Sequence, residues 1–336
     1  MKSFNNTKPL TYDEMLNIEN KIYEEQIIND EVKAEQIIVE DILKRKIETF
    51  SDKTFNFPQH IFLIDNYKGN ILVGRKIKSV LSIENKINAF HCSMITSSML
   101  LGFLKRKDEF GKDVKVEYFP FTKGEKVTIF NEIKNDRMIN LYYPFKYRHF
   151  ETNEEEKSPN EGWSLNPEKV VYLGYGEEHI RDYTITFLKN IIKKDMIIYD
   201  PACSTGQFLN TIKKEYPFVK TIGQDLSKEM CDYAKNYVDE IYCGDSINSP
   251  IKNNSVDLMF LRFLNSEVVT TEYAYELFDY LIKKVKNKGK IVAFGHTALL
   301  IQDSHFKKCG LKVQQRIAYD EKYDAIFQYY VLEKEE

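Results

Sequence analysis

Apolar residues recur at three- and four-residue steps between charges through TYDEMLNIENKIYEEQIINDEVKAEQIIVEDILKRKIET (residues 11–49), uninterrupted by Pro or Gly. That spacing predicts one or two amphipathic helices. From residue 57 the period changes. HIFLIDNYKGNILVGRKIKSVLSI holds two short, β-rich apolar runs on either side of Lys-Gly-Asn, the pattern of a hairpin. VKVEYFPF and EKVTIF bracket TKGE (122–125) and read as a second β pair. Between the pairs, the mostly apolar INAFHCSMITSSMLLGFLKRK (88–107) reads as a helix with a basic end.

The polar, Glu- and Pro-containing stretch 151–168 reads as a linker. Beyond it, strand and helix patterns alternate. Helices are expected over 177–193, 206–215, 227–237, 271–286 and near 301–308. Strands are expected at 196–200, 219–225, 241–245, 255–263 and 289–295, followed by KVQQRIAYD and AIFQYYVLEK. This alternation predicts an α/β fold with a doubly wound, mostly parallel sheet of seven strands, closed by an antiparallel hairpin at its edge. The expected organisation is a helical segment (1–50), a mixed α+β cap or substrate domain (51–150), the linker (151–168) and the α/β domain (169–336).

Composition narrows the function classes. With 336 residues, 43% hydrophobic and 29% charged, the chain has material for two cored domains and no disordered bias. Its first residues lack the apolar core of a signal peptide, and its apolar runs fall short of a membrane span, so a cytoplasmic location without membrane contact is expected. Five cysteines (Cys92, Cys203, Cys231, Cys243, Cys309) without CxxC or Cys/His spacing signal neither a disulfide frame nor a metal site. Charge is uneven: residues 53–148 carry 17 Lys+Arg against 9 Asp+Glu. Such a segment suits an anionic ligand or an acidic carrier protein, or else is an ordinary solvated face.

The stretch MIIYDPACSTGQFL (196–209) carries the chemistry. A strand ends at Asp200 and gives way to small residues and Gly206, where an open α/β sheet brings backbone close to its ligand. It resembles motif I of the class I S-adenosylmethionine-dependent methyltransferases, in the DPACGTGxFL wording of many adenine-specific DNA enzymes, with Ala202 and Ser204 at positions that are glycine in the common pattern. Asp225 closes the second strand, where the family accepts both ribose hydroxyls, and Asp245 closes the third, where the family contacts adenine. The resemblance covers about residues 170–336. It implies S-adenosyl-L-methionine as cofactor, surrounded by Tyr175, Asp200, Ala202, Ser204, Gly206, Gln207, Asp225, Leu226, Asp245, Ser246 and Arg262.

The acceptor is marked more weakly. Enzymes methylating base amines carry a Pro-Pro aromatic motif after the fourth strand, whereas this chain reads SVDLMFLRFLNSEVV. Residues 169–336 are also balanced, with 23 basic and 24 acidic side chains, which weighs against nucleic acid. GDSINSPIKNNSVDLMF resembles the corresponding run of small-molecule enzymes. Methylation of nitrogen or oxygen in a small, specialised-metabolite acceptor is therefore expected. The alternatives are a nucleic-acid or carrier-bound substrate, aminocarboxypropyl transfer from the same cofactor, and a non-catalytic binder. His296, His179 and Tyr175 are the candidate catalytic groups; Tyr172, Glu178, Arg181 and Asn265 are further acceptor-side candidates.

Overall fold

The computed structural model describes residues 32–52, 59–77, 94–110, 113–143, 162, 164, 177–265, 268–295 and 299–335. The chain divides into two compact units, one of residues 1–154 with 321–327, the other of 155–320 with 328–336.

The first unit holds a six-stranded sheet. Its strands are β1 (Glu48–Asp52), β2 (Gln59–Tyr67), β3 (Asn70–Ile77), β4 (Leu100–Phe110), β5 (Asp113–Pro120) and β6 (Leu141–Tyr142). They lie in the order β1-β5-β4-β3-β2-β6 with antiparallel neighbours. Ile61, Leu63, Val73, Val114, Val116 and Tyr118 form one core cluster. Phe62 and Ile64 alternate with them and are also buried, so β2 is covered on both faces. Phe62 lies opposite Gly74, where a Cβ would stand 2.0 Å from its ring; the glycine makes room for the aromatic.

Three expectations are corrected in this unit. The expected helix over 11–49 lies partly outside the described residues. Within them only α1 (Val39–Ile42) is helical, and Glu48–Asp52 is a strand because it pairs with β5, with Tyr118 Oη donating to Glu48 at 2.9 Å. The apolar run 88–107, where it is described, holds only a three-residue 3-10 turn at Ser97–Met99 and no α-helix. Leu100 onward is β4, and Gly102 lies so close to the Phe119 carbonyl that a Cβ would sit 2.0 Å from it. A continuous apolar run does not separate helix from strand, and this glycine selects the sheet. EKVTIF, expected as a strand, lies in helix α2 (Lys123–Ile133).

The signal for α2 was in the sequence: Thr122 and Glu125 form a capping box. Thr122 Oγ1 accepts from the Glu125 N–H at 3.1 Å, and Glu125 accepts from the Thr122 N–H at 2.9 Å. Glu125 is buried and also receives both terminal nitrogens of Arg45, at 2.6 and 2.7 Å. Thr122→Ala should lower the unfolding free energy by about 1 kcal/mol, measured in urea, because one helix N–H loses its acceptor.

The second unit alternates helices and strands. After α3 (Glu178–Leu188) come β7 (Ile197–Asp200), α4 (Gln207–Glu215), β8 (Lys220–Asp225), α5 (Lys228–Ala234) and β9 (Glu240–Cys243). Then follow β10 (Val256–Leu261), α6 (Thr271–Leu281), β11 (Val285–Ala293), α7 (Asp303–Lys308), β12 (Leu311–Asp320) and β13 (Ala325–Lys334). The seven strands are ordered β12-β13-β11-β10-β7-β8-β9. The sheet is mixed: β10–β11, β7–β10, β7–β8 and β8–β9 are parallel, and β11–β13 is antiparallel.

This order positions the site. From β7 the chain winds outward through β8 and β9, then returns to β10 on the other side. Neighbouring β7 and β10 therefore have connections that leave in opposite directions, and a crevice opens at their C-terminal ends. Beneath it the core is aromatic: Phe208 packs edge-on to Phe260 at 4.9 Å, and Phe294 stacks on Tyr329 at 5.3 Å.

Candidate active site

Four strand ends converge on the crevice. Asp200, at the end of β7, is fully buried. Its carboxylate accepts from Arg262 Nε at 2.8 Å and from the Ala202 N–H at 3.1 Å. Arg262, just beyond β10, extends from Asp200 to Glu177, with Nη1 at 3.3 Å from Glu177 Oε1, and lies 4.7 Å above the Phe208 ring. Arg181 approaches the same Glu177 at 3.3 Å. Burial pushes the Asp200 carboxyl upward against the pull of Arg262. Burial also works against the charge on Arg262, but Asp200 and Glu177 outweigh it and hold the guanidinium protonated.

Between Asp200 and α4 the backbone turns through two left-handed residues, Ser204 (φ 53°) and Gly206 (φ 77°). Ser204 thus keeps a conformation that favours glycine while carrying a side chain. The Cys203 side chain packs over Gly223 of β8, where a Cβ would stand 2.7 Å from the sulfur. Ser246 Oγ donates to the Pro201 carbonyl, tying the turn after β9 to the turn after β7.

Asp225 joins two turns. One oxygen accepts from the Ser204 N–H at 2.8 Å and the other from the Ser227 N–H at 2.9 Å. Each oxygen keeps a second lone pair, so the clamp leaves capacity for two hydroxyl donors. Burial lifts this carboxyl to about 6, although both N–H groups pull it down. Asp245 accepts from the Ile247 N–H at 3.2 Å and from Tyr273 Oη at 2.6 Å, and burial followed by this bond pushes the phenol up. Beside it, a Cβ on Gly244 would meet nothing within 4 Å. Gln224 braces this edge, donating to the Gly244 and Asp245 carbonyls at 3.0 and 3.1 Å while accepting from Tyr199 Oη at 2.6 Å.

Asp200, Ala202, Ser204, Gly206, Asp225, Asp245, Ser246 and Arg262 are thus joined by turn contacts at neighbouring strand ends. Gln207 opens α4 and Leu226 follows Asp225; both are partly exposed. Tyr172, Tyr175 and His296 lie outside the described residues. His179 is buried on the inner face of α3 with Ile180, Thr184 and Leu188, whereas Glu178 is exposed. Asn265 is buried just after Arg262. Sequence reading missed Glu177, Gln224 and Tyr273. Glu177 carries no motif; Tyr273 had a local signal, since Thr270 caps α6 by accepting from the Tyr273 N–H at 3.3 Å and so starts the helix beside Asp245.

In the basic segment, Lys68, Lys105, Arg106, Lys107 and Lys134 each face an acidic partner: Glu132, Glu117, Asp108, Glu109 and Asp324. Much of the described positive charge is balanced locally. No helix among the described residues is long and apolar enough to cross a membrane.

A methyltransferase domain model matches residues 198–289, the span from Asp200 through Asp245 to β11. Isonocardicin synthase from Nocardia uniformis subsp. tsuyamanensis is 32% identical over 294 residues, which is 86% of this chain and 95% of that protein; the likeness therefore extends into the N-terminal half. Among solved structures, a SAM-dependent methyltransferase from Aquifex aeolicus covers 50% of this chain and 99% of its own, at 17% identity and a TM-score of 0.38. Magnesium protoporphyrin IX methyltransferase from Synechocystis PCC 6803 covers 51% and 86%, at 12% identity and a TM-score of 0.38. The chain is an enzyme of the class I S-adenosylmethionine-dependent methyltransferase family, and S-adenosylmethionine is its cofactor.

Proposed function

We propose that the enzyme methylates a nitrogen or oxygen of a small specialised-metabolite acceptor. The observation that carries this reading is the use made of the end of β10. In place of a Pro-Pro aromatic platform for a base amine, the chain sets Arg262 there and buries it against Asp200. The synthase relative, named for a single compound, supports a small acceptor. Because the likeness to it runs into the N-terminal half, we assign acceptor recognition to residues 51–150.

The residues present fit the cofactor. Asp225 has acceptor capacity for two ribose hydroxyls, Asp245 offers a carboxylate for the adenine amine, and the space beside the Cα of Gly244 is open. When bound, S-adenosylmethionine supplies a carbon activated by its sulfonium. The protein's part is to position and to exclude water. Asp225 fixes the Ser204 turn to the Ser227 turn, Ser246 fixes the Pro201 turn, and Arg262 holds Asp200 and Glu177 in place. An acceptor amine that is neutral at working pH needs no base; a hydroxyl acceptor would need one, and His296 is the residue we assign to that task.

A second reading is transfer of the aminocarboxypropyl chain. It is favoured because the relative that matches over 95% of its own length is named a synthase and not a methyltransferase. The two reactions leave different by-products. Methyl transfer breaks the bond from sulfur to methyl and leaves S-adenosylhomocysteine, whereas aminocarboxypropyl transfer leaves methylthioadenosine. Incubation with S-adenosylmethionine and metabolite, nucleic-acid and carrier-protein pools, followed by mass spectrometry, tests both. S-adenosylhomocysteine with a methylated metabolite is the expected result; methylthioadenosine would replace it with the second reading, and a mass gain in nucleic acid would overturn the small acceptor.

The Asp225 carboxyl gives a pH dependence. Its charged form accepts from two N–H groups and is the better ribose acceptor, so cofactor affinity should fall about three- to fivefold between pH 7.5 and 5.5, as the group titrates near 6. The sign for the free protein is opposite. Its folded value lies above the unfolded carboxylate value of about 4, so ionised Asp225 costs stability above pH 6, and that cost fades as pH falls toward 4. Calorimetry at the two pH values, with Asp225→Asn as the insensitive control, checks the binding.

A further inference from the structure

Away from the strand ends, three side chains of different donor chemistry meet between α6 and α7. Asp279 Oδ1 lies 2.6 Å from His305 Nε2 and 3.4 Å from Cys309 Sγ. One ligand atom from each residue falls within 4.8 Å of the others. His305 and Cys309 are four residues apart, so α7 and its cap present both on one side, while Asp279 reaches them from α6. The imidazole is held edge-on to Tyr275, with centroids 4.6 Å apart, and to Phe278 at 5.9 Å. None of the three takes part in the site described above.

A nucleophilic pair would need the thiol bonded to the imidazole. Here thiol and imidazole both address one carboxylate oxygen, so the histidine is not placed as the thiol's base. Two hydrogens directed at one oxygen mark a point that a single cation can occupy in their place. We propose that Asp279, His305 and Cys309 bind a zinc ion, with water as the fourth ligand. Imidazole nitrogen, carboxylate oxygen and thiolate sulfur form a donor set for zinc or cobalt, whereas magnesium and calcium take oxygen alone. Zinc bonds of about 2.0–2.1 Å to N and O and about 2.3 Å to S place neighbouring ligands roughly 3.3–3.6 Å apart in a tetrahedron. The Asp279–Cys309 spacing already suits this, and the Asp279–His305 pair has to open by about 0.7 Å.

Burial, then the Asp279 bond, push the Cys309 thiol up to about 11, so the proton must leave on binding. The S–H bond breaks, the sulfur–metal bond forms, and the proton passes to solvent, which makes affinity rise with pH. The ion would staple α6, the helix that carries Tyr273 to Asp245, to α7.

The test uses untagged full-length protein stripped with a chelator and titrated with cobalt. One equivalent should produce thiolate-to-cobalt charge-transfer absorption and tetrahedral visible bands, both removed by zinc, and zinc should raise the thermal midpoint by several degrees. Cys309→Ser should abolish the charge-transfer band, and His305→Ala should weaken zinc binding at least tenfold. Substitution of Cys243, the exposed one among the described cysteines, should leave both readouts intact. Absence of the band and of a thermal shift, or a band that survives Cys309→Ser, would overturn the site.

Discussion

Replacing Arg262 with Met should lower the unfolding free energy by about 3–5 kcal/mol, the range for removing one partner of a buried ion pair. The cost arises on the other side of the pair. Asp200 is fully buried, and besides Arg262 it accepts from the Ala202 N–H, so the variant leaves a carboxylate without counter-charge in a low-dielectric site. Asp200 must then ionise at high cost or take up a proton. Glu177 also loses Arg262, although Arg181 still approaches it. Urea unfolding at pH 7.5 measures the loss, and the double variant Asp200→Asn/Arg262→Met should recover most of it. A loss below about 1 kcal/mol would show that the pair is not what holds the β7 and β10 ends together.

The second large effect is on the cofactor. Asp225→Ala should weaken S-adenosylmethionine binding by about 2–4 kcal/mol, or roughly 30- to 1,000-fold. The variant loses the acceptors proposed for the ribose. It also releases the Ser204 and Ser227 N–H groups, and Ser204 sits at a left-handed φ that the clamp helps maintain. Asp225→Asn keeps an acceptor oxygen and should fall between the two. Calorimetry gives the affinities and circular dichroism checks the fold; unchanged affinity in Asp225→Ala would remove the ribose assignment.

The C-terminal unit was legible because its information is local and repeated. β7, β8 and β9 are short runs that end at or within two residues of a carboxylate, so Asp200, Asp225 and Asp245 fall at strand ends once the runs are located. Missing from that reading is what long-range packing supplies. Nothing around Glu177 tells that Arg262, 85 residues later, will reach it, and the Tyr273 hydroxyl finds Asp245 only through the docking of α6. The N-terminal unit was less legible for a related reason. Glu48–Asp52 has helix-forming neighbours but is claimed by β5, and β4 opens on the apolar run 100–104, whose period is ambiguous until its partners are known. The TKGE stretch at the start of α2 has the look of a turn, yet its Thr-x-x-Glu spacing is that of the capping box that starts the helix.

The allocation of Glu321–Phe327 to the first unit bears on the order in which the protein is made. Ile326 exchanges both backbone hydrogen bonds with Ile95 at 2.8 Å, and Lys134 pairs with Asp324 across 190 residues of sequence. A ribosome delivers the chain from its N-terminus, so the Ile95 pairing has to wait until residue 326 has emerged. The six strands of the first sheet can pair earlier, but these last contacts form only after β12 of the second unit has been made. Strand β13, Ala325–Lys334, contributes its first residues to one unit and the remainder to the other. Completion of both is therefore tied to a single late event in synthesis, and a chain cut short before residue 325 leaves neither unit finished.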